Sequence, residues 1–237
     1  MNIALIGYGK MGKAIEEIAI QKAHSVCLKI DVENKDNLTI ENLQKADVAI
    51  EFTTPENAAN NILKCFDAGV PVICGTTGWL NKFEEVKNIC RQKNASFLYS
   101  SNFSIGVNIF FELNKKLAQL MRSKNYDVMI EETHHTQKKD APSGTAITLA
   151  EDILKEFPLK TKWVNQQSKN PEELPIISKR LDPAPGTHAI KYFSNVDDIE
   201  ITHTAHNRQG FASGAILAAE FIKNKKGIFS MKDVLGF

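Results

Sequence analysis

A short apolar strand running directly into G-x-G-x-x-G, a strand–helix alternation after it, and a strand-rich second half punctuated by proline together predict an α/β chain. The fold class is a Rossmann-type doubly wound parallel sheet plus a second α+β domain with an open mixed sheet. The predicted division is 1–103 with 208–237 as a dinucleotide-binding domain, and 104–207 as a substrate-binding and oligomerisation domain.

Residues 3–6 (Ile-Ala-Leu-Ile) form the first strand, and Gly7-Tyr-Gly-Lys-Met-Gly12 opens a helix through Ala14, Ile15, Ile18 and Ala19. In that context the glycines have separate duties. Gly7 permits the tight turn, Gly9 lets a pyrophosphate approach the backbone, and Gly12 lets helix and strand pack closely. A second strand, 25–30, ends in Asp31, about 20 residues past the glycines, where an acid binds the adenosine ribose hydroxyls. Asp31 repels a 2′-phosphate and favours NADH, whereas Lys10 and Lys35 offset that repulsion, so NADH and NADPH both remain candidates.

The alternation continues with a strand at 47–52, a helix at 56–68 started by Pro55 and ended by Gly69, and a strand at 70–74. The strand ends carry Phe52-Thr53-Thr54-Pro55 and Gly75-Thr76-Thr77-Gly78. Ligands of open α/β sheets bind beyond the carboxyl ends of strands, so both loops are candidate cofactor contacts. A helix at 82–93 and a strand at 96–99 complete the half, and 102–104 reads as the domain crossover. Ile105, Ile109, Phe110, Leu113, Leu117, Leu120 and Met121 then predict a helix with that stripe facing the core.

The second half is organised around 132–145, Glu-Thr-His-His-Thr-Gln-Lys-Lys-Asp-Ala-Pro-Ser-Gly-Thr, which links a predicted strand at 126–131 to a helix with apolar positions Ile147, Ala150, Ile153 and Phe157. His134, His135 and Lys138 can move protons or meet an anion near neutral pH. Ser143 or Thr145 can cap the helix, and Gly144 lets its N-terminal N–H groups approach a carboxylate or phosphate. Strands at 176–181, 187–193 and 198–203 form the mixed sheet, and a last helix at 211–222 packs back on the first domain.

A formal charge of +1 from 29 basic and 28 acidic side chains gives no global field for nucleic acid or anionic lipid. Cys27, Cys65, Cys74 and Cys90 lack C-x-x-C spacing and read as reduced core thiols of a cytoplasmic protein; no metal site is suggested. The opening residues do not read as a signal peptide, and no run approaches the roughly 18 apolar residues of a membrane span.

These segments resemble the dihydrodipicolinate reductase family. Residues 132–145 are similar to its E-x-H-H-x-x-K-x-D-A-P-S-G-T signature at every fixed position, supported by 7–12, 75–79, 101–108 and 206–214. The resemblance implies reduction, by NADH or NADPH, of a small cyclic dicarboxylate in lysine/diaminopimelate biosynthesis, by a homotetramer. It implies that His134 and Lys138 are catalytic, and that His135, Lys138, Ser143, Gly144 and Thr145 bind substrate carboxylates. It implies cofactor contacts from Gly7, Gly9, Lys10, Met11, Gly12, Asp31, Phe52, Thr53, Gly75, Thr76, Thr77, Ser101, Phe103 and Arg208. No arginine follows Asp31, where members can hold a 2′-phosphate. The alternatives are another small amino- or imino-acid dehydrogenase and a non-catalytic dinucleotide sensor, and +1 net charge with no spare DNA-binding segment speaks against the sensor.

Overall fold

The computed structural model describes residues 1–207 and 209–237. Its elements begin with β1 (Asn2–Ile6), α1 (Lys10–Gln21), β2 (Ser25–Ile30), α2 (Ile40–Leu43), β3 (Val48–Glu51), α3 (Pro55–Asp67), β4 (Val72–Cys74), α4 (Phe83–Gln92) and β5 (Ser96–Tyr99). They continue with α5 (Ile105–Met121), β6 (Asp127–His134), α6 (Gly144–Glu156), β7 (Lys162–Val164), β8 (Glu173–Arg180), β9 (Gly186–Phe193) and β10 (Asp198–Ala205). Last come α7 (Gln209–Ile222), β11 (Gly227–Phe229) and α8 (Met231–Leu235). The chain forms two compact units, Met1–Ile105 with Arg208–Phe237, and Gly106–Asn207.

In the first unit six parallel strands lie in the order β11-β5-β4-β3-β1-β2. β1 and β3 are buried on both faces over 3–6 and 48–51, as parallel strands covered by helices must be, so they read as apolar runs, broken only by Glu51 at the end of β3. Each fully buried Ile or Leu there contributes about 1.5–3 kcal/mol. Strand order reverses between β1 and β3, the position at which a doubly wound sheet opens a crevice beyond its strand ends. α7 closes one face, with Ala215, Ile216 and Ala219 buried in the same cluster as Ile3, Leu5 and Ile15. β11 is an added edge strand; a run of three residues carries too little periodicity to be read from sequence.

The second unit is a mixed sheet in the order β10-β9-β6-β8-β7. β6 pairs parallel with β8 and antiparallel with β9, and β9 pairs antiparallel with β10. α5 and α6 bury Phe110, Ala118, Leu149 and Ile153 with Val128, Ile130, Ile176, Ile190 and Tyr192. The stripe expected on α5 is corrected. Val107, Phe110, Asn114, Ala118 and Met121 face inward, while Ile109, Leu113 and Leu120 are exposed. Apolar residues on this helix fall on more than one face at a 3.6-residue period, and the face turned inward includes Asn114, whose Nδ2 donates to the Leu149 carbonyl at 3.1 Å. Cys65, Cys74 and Cys90 are buried free thiols, but Cys27 is exposed rather than core.

β6 also runs three residues further than 126–131. Glu132, Thr133 and His134 stay on the strand because Ser178, Lys179 and Arg180 of β8 pair with them on one side, while His188 and Thr187 of β9 pair with Glu132 and Thr133 on the other. His134 therefore sits on a sheet rather than on the connection that follows it.

Candidate active site

In the first unit a cleft of about 410 Å³ lies between the loops after β1, β3 and β4, lined by Gly7, Gly9, Lys10, Met11, Phe52, Thr53, Pro55, Gly75, Thr76 and Thr77. Gly7 has φ +100°, and a Cβ there would lie 2.0 Å from the Phe52 carbonyl oxygen. A Cβ on Gly12 would lie 2.5 Å from the Gly7 carbonyl oxygen, so this glycine serves packing and does not line the cleft. At Gly9 nothing lies within 4 Å of an added Cβ, and no side chain caps α1 there. The helix thus presents free N–H groups at an open backbone surface, which suits a pyrophosphate. Gly75 leaves space for the Phe52 ring, whose Cε1 would be 2.2 Å from an added Cβ.

Asp31 lies at the exposed end of β2, where its Oδ1 accepts the N–H groups of Glu33 at 2.9 Å and Asn34 at 3.2 Å. It is thus a turn former, and its carboxyl stands exposed at the strand end. Phe103 is 1% exposed and packs its ring 5.7 Å from that of Phe52, behind the cleft wall. Its side chain is core, and Ser101 is exposed and does not line the cleft. Arg208 lies outside the described residues.

The second unit gathers a different set of groups. His134 is 8% exposed, with Nδ1 3.3 Å from Glu132 Oε2 but not aligned to hydrogen-bond it. Glu132, fully buried, accepts the Ser143 N–H on both oxygens at 3.1 Å and the Arg180 Nη2 on Oε1 at 3.2 Å. Burial alone would raise its pKa, but the Ser143 hydrogen bonds hold it below the ordinary value. Burial pushes the His134 imidazole below 6.5, Glu132 opposes that, and the charges of Lys138 and Arg180 add to it. At neutral pH the pair is therefore a carboxylate beside a neutral imidazole.

Around this pair, Ser143 caps α6, its Oγ accepting the Ala146 N–H at 3.2 Å and lying 3.1 Å from His188 Nε2. Burial, followed by the neighbouring His134, pushes His188 down to about 4. Gly144 is exposed, with open space at its Cβ position, and Thr145 follows half-buried in the first turn of α6. The Lys138 ammonium donates to both Asp140 oxygens, at 2.9 and 2.8 Å, and holds that carboxyl below the usual range. His135 is half-buried, its Nδ1 unpartnered. Glu132, His134 and His188 present ligand-type atoms within 4.8 Å of one another. Ser143 and Arg180 donate to Glu132, and Ser143 also meets His188, so the three groups share one hydrogen-bonded cluster.

Residues 1–103 match the family described as dihydrodipicolinate reductase, N-terminus, and residues 106–235 match its C-terminus. The chain belongs to this family. The 4-hydroxy-tetrahydrodipicolinate reductase of Christiangramia forsetii is 51% identical over 238 residues, covering 99% of this chain and 98% of that protein. The reductase of the same name from Methanosarcina acetivorans is 38% identical, covering 99% and 89%. The fold is similar to that of a dipicolinate-bound dihydrodipicolinate reductase from Paenisporosarcina sp. TG-14 (TM-score 0.77, 24% identity, 97% of each chain). It is shared more distantly with an amine dehydrogenase from Mycobacterium smegmatis (TM-score 0.64, 9% identity, 97% and 94%).

For this dihydrodipicolinate reductase family member the sequence reading left out four residues of the cluster. Glu132 stood within the signature but was given no role, although its position two residues before His134 places both on one face of β6. His188 lies on the buried face of β9, and strict alternation there was the signal for it. Arg180 donates to the carbonyls of Asp140 at 2.5 Å and Lys138 at 3.3 Å, tying the Lys138 loop to β8. Gly186 makes room for the imidazole, since its Cβ would lie 3.2 Å from His134 Nε2.

Proposed function

We propose that the chain is a 4-hydroxy-tetrahydrodipicolinate reductase of lysine/diaminopimelate biosynthesis, transferring hydride from NAD(P)H to a cyclic dihydrodipicolinate-type dicarboxylate to give tetrahydrodipicolinate. The observation that carries this reading is 51% identity to the C. forsetii reductase along nearly the whole of both chains. The bound nicotinamide dinucleotide supplies the hydride. Gly7, Gly9 and the N-terminus of α1 receive its pyrophosphate, Lys10 adds a positive charge, and Asp31 accepts the ribose hydroxyls. Phe52, Thr53, Gly75, Thr76 and Thr77 form the wall against which the nicotinamide rests.

In the second unit the substrate carboxylates bind at the Gly144–Thr145 end of α6, at His135, and at Lys138, which is shared with Asp140. Hydride addition leaves electron density on the ring carbon framework that must be protonated. His134 is neutral in the free protein, and the arriving dianion favours its imidazolium form, so the substrate itself loads the proton donor. Lys138 fixes the carboxylate as a point charge.

Both dinucleotides serve, Asp31 favouring NADH while Lys10 and Lys35 tolerate the 2′-phosphate. The subunits form a homotetramer through the face of the mixed sheet opposite α5 and α6. Among the described residues no helix is long and apolar enough to cross a membrane. Four free thiols fit a reducing, cytoplasmic setting. The test is to supply freshly generated substrate and follow nicotinamide absorbance with NADH and NADPH side by side. Substrate-dependent oxidation of either supports the reading, and oxidation of neither refutes it.

A further inference from the structure

The cleft of the first unit rests on a buried acid that hydride transfer and protonation leave unused. Glu51, the last residue of β3, is 0% exposed, yet among the described residues its hydrogen-bond partners are all neutral. The Thr53 hydroxyl donates to Oε1, the Thr76 hydroxyl to Oε2 at 2.7 Å, the Cys74 thiol to Oε2 at 3.1 Å and Asn61 Nδ2 to Oε1 at 3.4 Å. The direction of these bonds is fixed by what else the hydroxyls do. Thr76 Oγ1 accepts the Thr53 N–H at 2.8 Å, and Thr53 Oγ1 accepts the Asn61 amide at 3.2 Å, so each hydroxyl proton turns to Glu51. Four donors converging on one carboxyl group suit an acceptor-only carboxylate, because a protonated acid would set its own hydrogen against one of them. A buried charge without a counter-ion is costly, and an apolar side chain would fill the space more cheaply. Thr53 and Thr76 both line the cleft, which puts the charge one hydroxyl away from it.

We propose that Glu51 is a positioning residue that locks the Thr53 and Thr76 hydroxyls and gives the cleft a fixed negative charge favouring the oxidised, cationic nicotinamide over the neutral reduced ring. This rests on the reading of the cleft as the dinucleotide site. The two forms of the ring differ by one positive charge, which develops as hydride leaves, so a preorganised carboxylate stabilises the product side and the transition state leading to it.

The test is the ratio of Kd values for NAD⁺ and NADH, from NADH fluorescence and competition with NAD⁺. Glu51→Gln should weaken NAD⁺ about tenfold, the scale of one partly screened charge pair, while NADH changes far less. Glu51→Met, a neutral filler of similar length, should shift the ratio the same way. Glu51→Asp, which keeps the charge, should hold the wild-type ratio even if both affinities fall. Parallel weakening of both forms in the neutral variants would overturn the inference and leave Glu51 a packing residue. A wild-type protein that binds neither form would instead refute the dinucleotide reading, so the two failures are separable.

Discussion

The two units build their sites from different materials. The cleft of the first unit is made of backbone and missing side chains: Gly7, Gly9 and Gly75 shape it, an uncapped helix start charges it, and threonine hydroxyls finish it. The cluster of the second unit is made of titratable side chains from three strands and a loop, with Glu132 and His134 on β6, Arg180 on β8, His188 on β9 and Lys138 after β6. The first kind of site is shaped mainly by backbone, with the few charges around it, Lys10 and the buried Glu51, set behind or beside that frame. The second holds groups whose protonation the fold has shifted, and it is the one equipped to move a proton.

Substitutions should separate these two designs. Gly7→Ala has the largest expected effect, because a Cβ 2.0 Å from the Phe52 carbonyl oxygen cannot be relieved by rotating a side chain, and φ +100° disfavours alanine as well. It should cost more than about 4 kcal/mol of stability and abolish NADH binding, read by thermal unfolding and fluorescence titration. Retained binding within a few-fold would mean the loop is less constrained than its geometry states.

The next effect belongs to the second unit and to pH. His188 has a folded pKa of about 4 against 6.5 for the free side chain, so the unfolded chain takes up its proton first as pH falls. Stability is complete above pH 6.5 and is lost through the window down to about 4, by up to about 3 kcal/mol. Glu132, with its carboxyl held below 4.5, adds a further loss below that value. His188→Gln, which does not titrate, should make urea-unfolding stability fall less steeply between pH 7 and pH 4.5, leaving the smaller slope that His134 contributes; an unchanged slope would remove His188 as a source.

The smallest effect is expected from Gly186→Ala. Its Cβ, 3.2 Å from His134 Nε2 and 3.3 Å from Cδ2, would press on the imidazole, and φ +158°, at the margin of what alanine adopts, adds some backbone strain. A several-fold drop in kcat/KM with NADH affinity untouched would place the perturbation in the cluster alone. An equal loss of NADH affinity would show that the substitution acts by general destabilisation.

The same contrast decides what the sequence could reveal. Glycine spacing is contiguous, so Gly7, Gly9 and Gly12 declare the first site within six residues, and the strand–helix alternation declares the sheet that carries it. The contiguous part of the second site, His134 to Thr145, is equally visible. Glu132's partners are not, because Arg180 and His188 reach it through strand register, and register between distant strands is set by tertiary pairing rather than by any local pattern. The inward face of α5 was hidden for a related reason: apolar residues on more than one face leave the helix two ways to pack, and packing chooses.

The central claim is that a buried, neutral His134 becomes the proton donor once a dianionic substrate lies beside it. The pH dependence of kcat/KM and of kcat, measured on wild type and His134→Gln, tests it most directly. For an acid that acts protonated, kcat/KM should fall with rising pH from a point below 6.5, the free-protein limb, and kcat should hold to higher pH because bound substrate raises the same group. Both limbs should vanish in His134→Gln, with kcat lower by roughly 10²–10⁴. A pH profile and kcat unchanged in His134→Gln would contradict this and take the proton-donor role away from His134.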